Sequence, residues 1–323
     1  MVELDVKDKK LIYTLDFEAR MPLTQLAKKL NISKQVAKYR LENLQKRNII
    51  QGFYADINAS KLGLAIYLVY FKFHHLTPDL EKQFIDHISK QNQVGVNVSI
   101  NGKWDYCIGI WAESIIHFKK YYQKTMKDYE KYVKNKTVMI ETDFYYFKPK
   151  QILQKKEDEQ IIMTGELEQY QLDNVDEKIL IELSKNCRIS LVDLGKLTKL
   201  TPNGVKSRIK NLEKNKVILG YRVMINYPLL NFLHYRAFLH LENTTEEKEK
   251  KIIQFLKQKK SVVSATKTIS YCELEFRAVV KDVHEFYVVM EELRNNFPDL
   301  IKDHESILYY KFHEALNYFP FSK

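Results

Sequence analysis

The sequence predicts an α+β chain made of two copies of one two-domain unit, and three observations carry that prediction. Sliding the 323 residues against themselves by 168 positions aligns the two halves without a gap. Each half opens with three short helical patterns, and each continues in the order β-α-β-β-α-β. In the aligned register Leu4-Asp5-x-x-Asp8 falls on Leu172-Asp173-x-x-Asp176, Arg20 on Arg188, Lys38-x-Arg40 on Lys206-x-Arg208, and Gly52 on Gly220. Further on the match survives as apolar pattern: Phe118 with Phe286, Val133 with Ile301, Phe144 with Phe312. A period this long excludes a solenoid and reads as tandem duplication.

Asp5 suits an N-cap, and Asp8 at N3 complements the positive helix start, ahead of Leu11, Ile12 and Leu15 at helical spacing. The second copy repeats this with Asp173, Asp176, Ile179, Leu180 and Leu183. A second helix runs through Leu23, Leu26, Ala27 and Leu30, or Leu191, Leu194 and Leu197. After a turn at Asn31-Ile32, Ser33 caps the third helix; Thr201 caps its counterpart, with Pro202 at the first helical position. Gly52 and Gly220 follow Ile49-Ile50 and Val217-Ile218 and lead into strands. Three helices and a β-hairpin make a winged helix-turn-helix, assigned to residues 1–62 and 172–230.

The rest of each unit, residues 63–147 and 231–323, reads as a ferredoxin-like βαββαβ domain. In the first copy strands suit 64–74, 93–100, 104–112 and 137–147, and helices suit 78–91 and 114–131. The strand Ala65–Phe71 is apolar on both faces, whereas a sheet covered on one side alternates. Its second face therefore packs on the matching sheet of the other copy, giving an intrachain pseudo-dimer. Residues 148–171, with the mixed-charge run Lys155–Glu159, form a linker longer than most connections.

Lys and Arg outnumber Asp and Glu by 52 to 41, which points to a polyanionic partner. Residues 1–62 hold 12 basic and 7 acidic side chains, and residues 172–230 hold 11 and 6. Nearly all the surplus thus lies in the two helical domains, as phosphate neutralisation requires. Met1–Asp8 is charged, the longest apolar run (Leu62–Phe71) is half a bilayer span, and Cys107, Cys187 and Cys272 are scattered. No secretory leader, membrane span, disulfide framework or zinc ribbon is expected, and the expected compartment is the cytoplasm.

On a helical wheel, Ala37, Leu41 and Leu44 share one face of the third helix, as do Val205, Ile209 and Leu212 in its counterpart. The candidate DNA-contacting residues are Ser33, Lys34, Gln35, Lys38, Tyr39 and Arg40 in the first copy. In the second they are Thr201, Asn203, Lys206, Ser207, Arg208 and Lys210. Gln and Asn pair with adenine through two hydrogen bonds, Ser contacts several bases, and long cations suit phosphate or guanine. Arg40 and Arg208 lie nearer the buried side, where they either clamp phosphate or pair with a neighbouring carboxylate. The faces differ at Gln35/Asn203, Tyr39/Ser207 and Glu42/Lys210, which predicts an asymmetric DNA site.

Leu4-Asp5-x-x-Asp8, the run Leu26–Ser33, Val36-x-x-x-Arg40-x-x-x-Leu44, Ile50-x-Gly52-Phe53 with Ile218–Tyr221, and Asn101–Tyr106 together resemble the Lrp/AsnC transcription regulators, twice over nearly the whole chain. The resemblance implies a sequence-specific double-stranded DNA-binding regulator with an amino-acid or other small-molecule effector. It also implies sensing domains that pair through their sheets and associate into further homo-oligomers. It places the effector near a Gly-x-x-Asp turn, here Asn101, Gly102 and Asp105, with Asp105 meeting an amino group. The second copy departs from the pattern with Ser270 and Glu273.

No catalytic residue, metal ligand or cofactor is assigned: the nine histidines show no HExxH spacing, His74-His75 point to opposite faces, and no phosphate loop or nucleophile elbow occurs. Two alternatives stand beside the regulator. One is a fused enzyme resembling the siroheme decarboxylases, which share this architecture; the other is a ligand-sensing scaffold that does not bind DNA.

Overall fold

The computed structural model describes residues 3–153, 160–163 and 170–313. The first unit runs α1 (Val6–Leu15), α2 (Leu23–Leu30), α3 (Lys34–Lys46), β1 (Ile50–Ile57), β2 (Ala65–Phe73), α4 (Pro78–Ser89), β3 (Val94–Asn101), β4 (Tyr106–Ala112), α5 (Ile115–Met126) and β5 (Val133–Phe147). In the connecting segment lie α6 (Lys150–Leu153) and β6 (Gln160–Met163). The second unit runs α7 (Asn174–Lys185), α8 (Leu191–Thr198), α9 (Pro202–Lys214), β7 (Ile218–Ile225), β8 (Leu233–Leu241), α10 (Glu246–Gln258), β9 (Val262–Ile269), β10 (Leu274–Val280), α11 (Val283–Asn296) and β11 (Ile301–Phe312). Every element of the first unit begins 168 residues before its counterpart, so the repeat seen in the sequence is a repeat of structure.

The expected wing hairpin is not formed within either unit. Instead β1 pairs antiparallel with β7, joining Tyr54 to Arg222 and Ala55 to Tyr221. Each copy supplies one strand before the chain turns off through a short 3-10 turn, Ala59–Leu62 or Pro228–Leu230. A lone strand leaves its ladder groups unpaired, and the other copy satisfies them. Flanking bonds obey the same pseudo-two-fold: the Ala19 amide donates to the Tyr221 carbonyl and the Cys187 amide to the Phe53 carbonyl, both at 2.9 Å. The Arg20 guanidinium donates to the carbonyls of Cys187 and Ile189, while Arg188 donates to those of Ala19 and Met21. The two helical domains accordingly share one hydrophobic core, with Leu11, Leu15 and Leu44 in the same cluster as Ile179, Leu183 and Leu212.

The two ferredoxin-like sheets join at both edges. The order β2-β4-β3-β11-β8-β10-β9-β5 closes on itself through β5–β2, every pairing antiparallel, and β6 extends β5 as a ninth strand. This barrel is more than the expected face-to-face packing, because no sheet edge between the units remains open. Strand β2 is buried on both sides as its sequence required: Tyr67, Val69 and Phe71 pack with α4 and α5 residues, and Ile66, Leu68 and Tyr70 point into the barrel with Phe238 and Tyr309 of the other unit. Helix α5 stops at Met126, short of the expected 131; a 3-10 turn at Glu130–Tyr132 follows and β5 starts at Val133. Within the expected linker α6 packs on α1 and β6 pairs with β5; the run Lys155–Glu159 lies outside the described residues.

Candidate nucleic-acid interface

Helices α3 and α9 are built alike. Ser33 Oγ accepts from the Val36 amide at 3.2 Å, and Thr201 Oγ1 accepts from the Gly204 amide at 3.1 Å. Both residues are therefore helix caps, and the positive end of each helix dipole lies at that cap. Ala37, Leu41 and Leu44, and Val205, Ile209 and Leu212, are buried against the helical core. On the opposite side Lys34, Gln35, Lys38 and Tyr39 are exposed in α3, and Asn203, Lys206, Ser207 and Lys210 in α9. Tyr39 keeps 68% of its surface accessible.

Arg40 and Arg208 take the second of the two expected arrangements, pairing with neighbouring carboxylates. Arg40 Nη1 lies 2.6 Å from Asp5 Oδ2 and 2.7 Å from Asp8 Oδ1; Arg208 Nη1 lies 2.5 Å from Asp173 Oδ2 and 3.3 Å from Asp176 Oδ2. Each guanidinium ties its recognition helix to the capped start of the first helix instead of reaching outward. The Asp5 carboxyl sits below its usual range: slight burial opposes the shift, and the Asp8 amide and Arg40 outweigh it. Asp173 is lowered by the Asp176 amide and then by Arg208. These arginines position the helices.

The two faces differ in charge. Lys38 Nζ lies 3.7 Å from Glu42 Oε1, a loose exposed pair. The position matching Glu42 is Lys210, so α9 presents Lys206 and Lys210 without that acidic neighbour.

The candidate effector turn is held by bonds to a neighbouring strand. Asn101 ends β3 and is exposed, and Gly102 holds φ +136° with Ile307 and Ser306 at van der Waals distance from where a Cβ would stand. Asp105 Oδ1 accepts from Lys72 Nζ at 2.6 Å, and Oδ2 accepts from the Phe73 amide at 2.8 Å. Its carboxylate staples the β3–β4 turn to the end of β2 and remains 39% exposed. Glu273 repeats the role, accepting from the Leu241 amide at 2.8 Å. Ser270 takes Gly102's place at φ 94°, a conformation costing of order 1–3 kcal/mol for a residue with a Cβ.

Inside the barrel lies a polar group that the sequence reading did not single out. Arg236 on β8 faces Glu275 with Nε and Nη2, lies 2.8 Å from Glu141, and donates to the hydroxyl oxygens of Tyr70 and Tyr309 at 2.6 Å each. Nearby, His234 is buried with Nε2 unpartnered. Burial, reinforced by Arg277 and Arg236, pushes its pKa down from 6.5 to about 3. A histidine lowered on folding leaves the unfolded chain to take up the proton first. Its stabilising contribution is complete above about pH 6.5 and drains away as pH falls toward 3. Thermal melts of His234→Gln should therefore lose less stability than the parent between pH 6.5 and 4; parallel curves would contradict this. Among the described residues no group of three or more His, Cys, Asp or Glu is placed to hold a metal ion.

Comparison with known proteins matches this geometry. The model described as winged helix-turn-helix DNA-binding fits residues 4–51, and that of the AsnC-type helix-turn-helix domain fits residues 172–213. An uncharacterized HTH-type transcriptional regulator of Pyrococcus furiosus is 32% identical over 127 residues, which are 39% of this chain and 82% of the relative. That proportion suits a chain holding two such units. The leucine-responsive regulatory protein of Haemophilus influenzae is 48% identical over 60 residues, 19% of this chain and 36% of its own. Among solved structures, the siroheme decarboxylase NirDL superposes with a TM-score of 0.63 at 10% identity, covering 97% of this chain and 96% of that one, a likeness of fold alone. Two helix-turn-helix matches, the relative matched over most of its length and the doubled architecture place this chain in the Lrp/AsnC family, with two of its units fused into one polypeptide.

Proposed function

We propose that this chain binds double-stranded DNA as a transcription regulator, through α3 and α9 together. The observation that carries the reading is the pair of capped helices with exposed polar and cationic faces, held in a pseudo-two-fold relation by the β1–β7 ribbon. Lys34, Gln35, Lys38 and Tyr39, and Asn203, Lys206, Ser207 and Lys210, are the contacting side chains. Ser33 and Thr201 contribute through the helix ends that they cap, and Arg40 and Arg208 hold the helices in place. A small-molecule effector modulates binding, the pseudo-dimers associate further, and the chain works in the cytoplasm without catalysing a reaction. No described helix is long and apolar enough to cross a membrane.

Because α3 and α9 differ at three outward positions, the preferred DNA is asymmetric. Selection from a random duplex pool should recover two unlike half-sites at a fixed spacing. Recovery of perfect palindromes would refute the asymmetry, and absence of enrichment at low salt would refute the DNA-binding reading. The enzyme reading has the NirDL fold in its favour; it requires that added siroheme shift its absorbance on mixing with the protein and be decarboxylated.

A further inference from the structure

Between the barrel and the β1–β7 ribbon lies a cavity of about 590 Å³, within the size range of small-molecule sites. Asn101, Gly102 and Asp105 are not among the residues that line it. Ribbon residues Tyr54, Asp56 and Arg222 line one side and barrel residues His234, Arg236 and Arg277 another; the exposed Tyr310 and Lys311 stand where it meets solvent.

The three arginines are not equivalent. Arg222 is met by Asp16, at 2.6 Å from Nε and 3.2 Å from Nη2, and Arg236 by Glu141 and Glu275. Arg277 donates from Nε to Ser264 Oγ at 2.7 Å and stacks over the rings of Phe144 and Tyr146, at 4.7 and 5.9 Å. Among the described residues no carboxylate pairs with it. Arg277 is half-buried, and among the described residues its outer N–H fork meets no protein acceptor, which leaves it open for bidentate pairing with a planar oxyanion. Three buried polar atoms without a hydrogen-bond partner line the same space: His234 Nε2, Trp111 Nε1 and Asp56 Oδ2, the last 4.0 Å from Arg222 Nη1. The walls between them are flat and apolar, from Trp111, Phe144 and Phe312.

We propose that this cavity is a ligand site for an organic carboxylate with a flat, aromatic-sized body and a hydrogen-bond donor at its far end. Arg277 takes the carboxylate in its open fork, the aromatic walls sandwich the body, and Asp56 accepts from the donor. The proposal goes beyond the DNA-binding reading and does not need it, because ligand binding is measured on the protein alone.

The probe is 6-hydroxy-2-naphthoate, titrated by its fluorescence into the full chain, with 2-naphthol as the partner lacking the carboxylate. The expected result is saturable one-site binding of the naphthoate, with 2-naphthol at least tenfold weaker. Arg277→Gln should weaken the naphthoate at least tenfold and leave 2-naphthol unchanged, and Arg277→Lys should recover part of the loss. Equal affinity for the two probes, an unaffected Arg277→Gln variant, or no binding of the naphthoate up to millimolar concentration would each overturn the assignment. The comparison of the two probes on the unaltered chain keeps the test decisive if Arg277→Gln does not fold.

Discussion

Replacing Arg236 by leucine is expected to destabilise the protein by about 3–5 kcal/mol, the usual cost of stripping the partner from buried charge. Glu275 is fully buried and the Glu141 side chain is 13% exposed, and both look to this guanidinium for compensation. Burial already pushes the Glu141 carboxyl above its usual range despite Arg236, so removing the cation forces a proton onto the pair or opens the barrel. Two tyrosine hydroxyls lose a donor as well. Urea denaturation at pH 7 measures the loss, and a change under 1 kcal/mol would show the group to be dispensable. Adding Glu275→Gln to Arg236→Leu should recover part of the stability, because one of the stranded charges goes with it.

The second large effect concerns DNA. Lys38→Ala combined with Lys206→Ala should weaken duplex binding roughly tenfold or more, each lysine contributing one charge-assisted contact. The slope of log affinity against log salt should flatten by about two, close to 0.9 for each phosphate contact removed. Both side chains are exposed and neither carries the core, so thermal stability should hold. Salt-dependent binding curves decide it: an unaltered slope would remove these lysines from the interface.

The sequence was most legible where information is local or repeated. Caps at Asp5, Ser33, Asp173 and Thr201 came from residue type and spacing, and all four side chains bond as caps. The register of 168 carried each element of one copy onto the other. What it could not convey was pairing at long range. Nothing near Ile50–Ile57 says that its partner strand lies in the other copy, because no turn joins them; a hairpin was the local guess. The Gly-x-x-Asp spacing specified a tight turn at Gly102, yet the Lys72 side chain and Phe73 amide that occupy Asp105 come from another strand. For Arg40 the helical wheel already placed the side chain toward the interior, and only the identity of its carboxylates was missing. The barrel cavity had one faint signal. In the aligned copies Arg222, Arg236 and Arg277 stand opposite Tyr54, Leu68 and Gly109, so cations enter the second copy at positions where the first has none. Their convergence on one space depends on three strands, which the alignment does not order.

The doubled ladder has a consequence for how the protein responds to dilution. A regulator assembled from two separate chains loses its paired DNA-reading surfaces by mass action as its copy number falls. Here β1 with β7, β3 with β11 and β5 with β9 are partners within one polypeptide, so that equilibrium contains no second chain. Pairing holds at any abundance. Each substitution also enters one half only, which leaves the two faces free to drift apart while the ring stays closed.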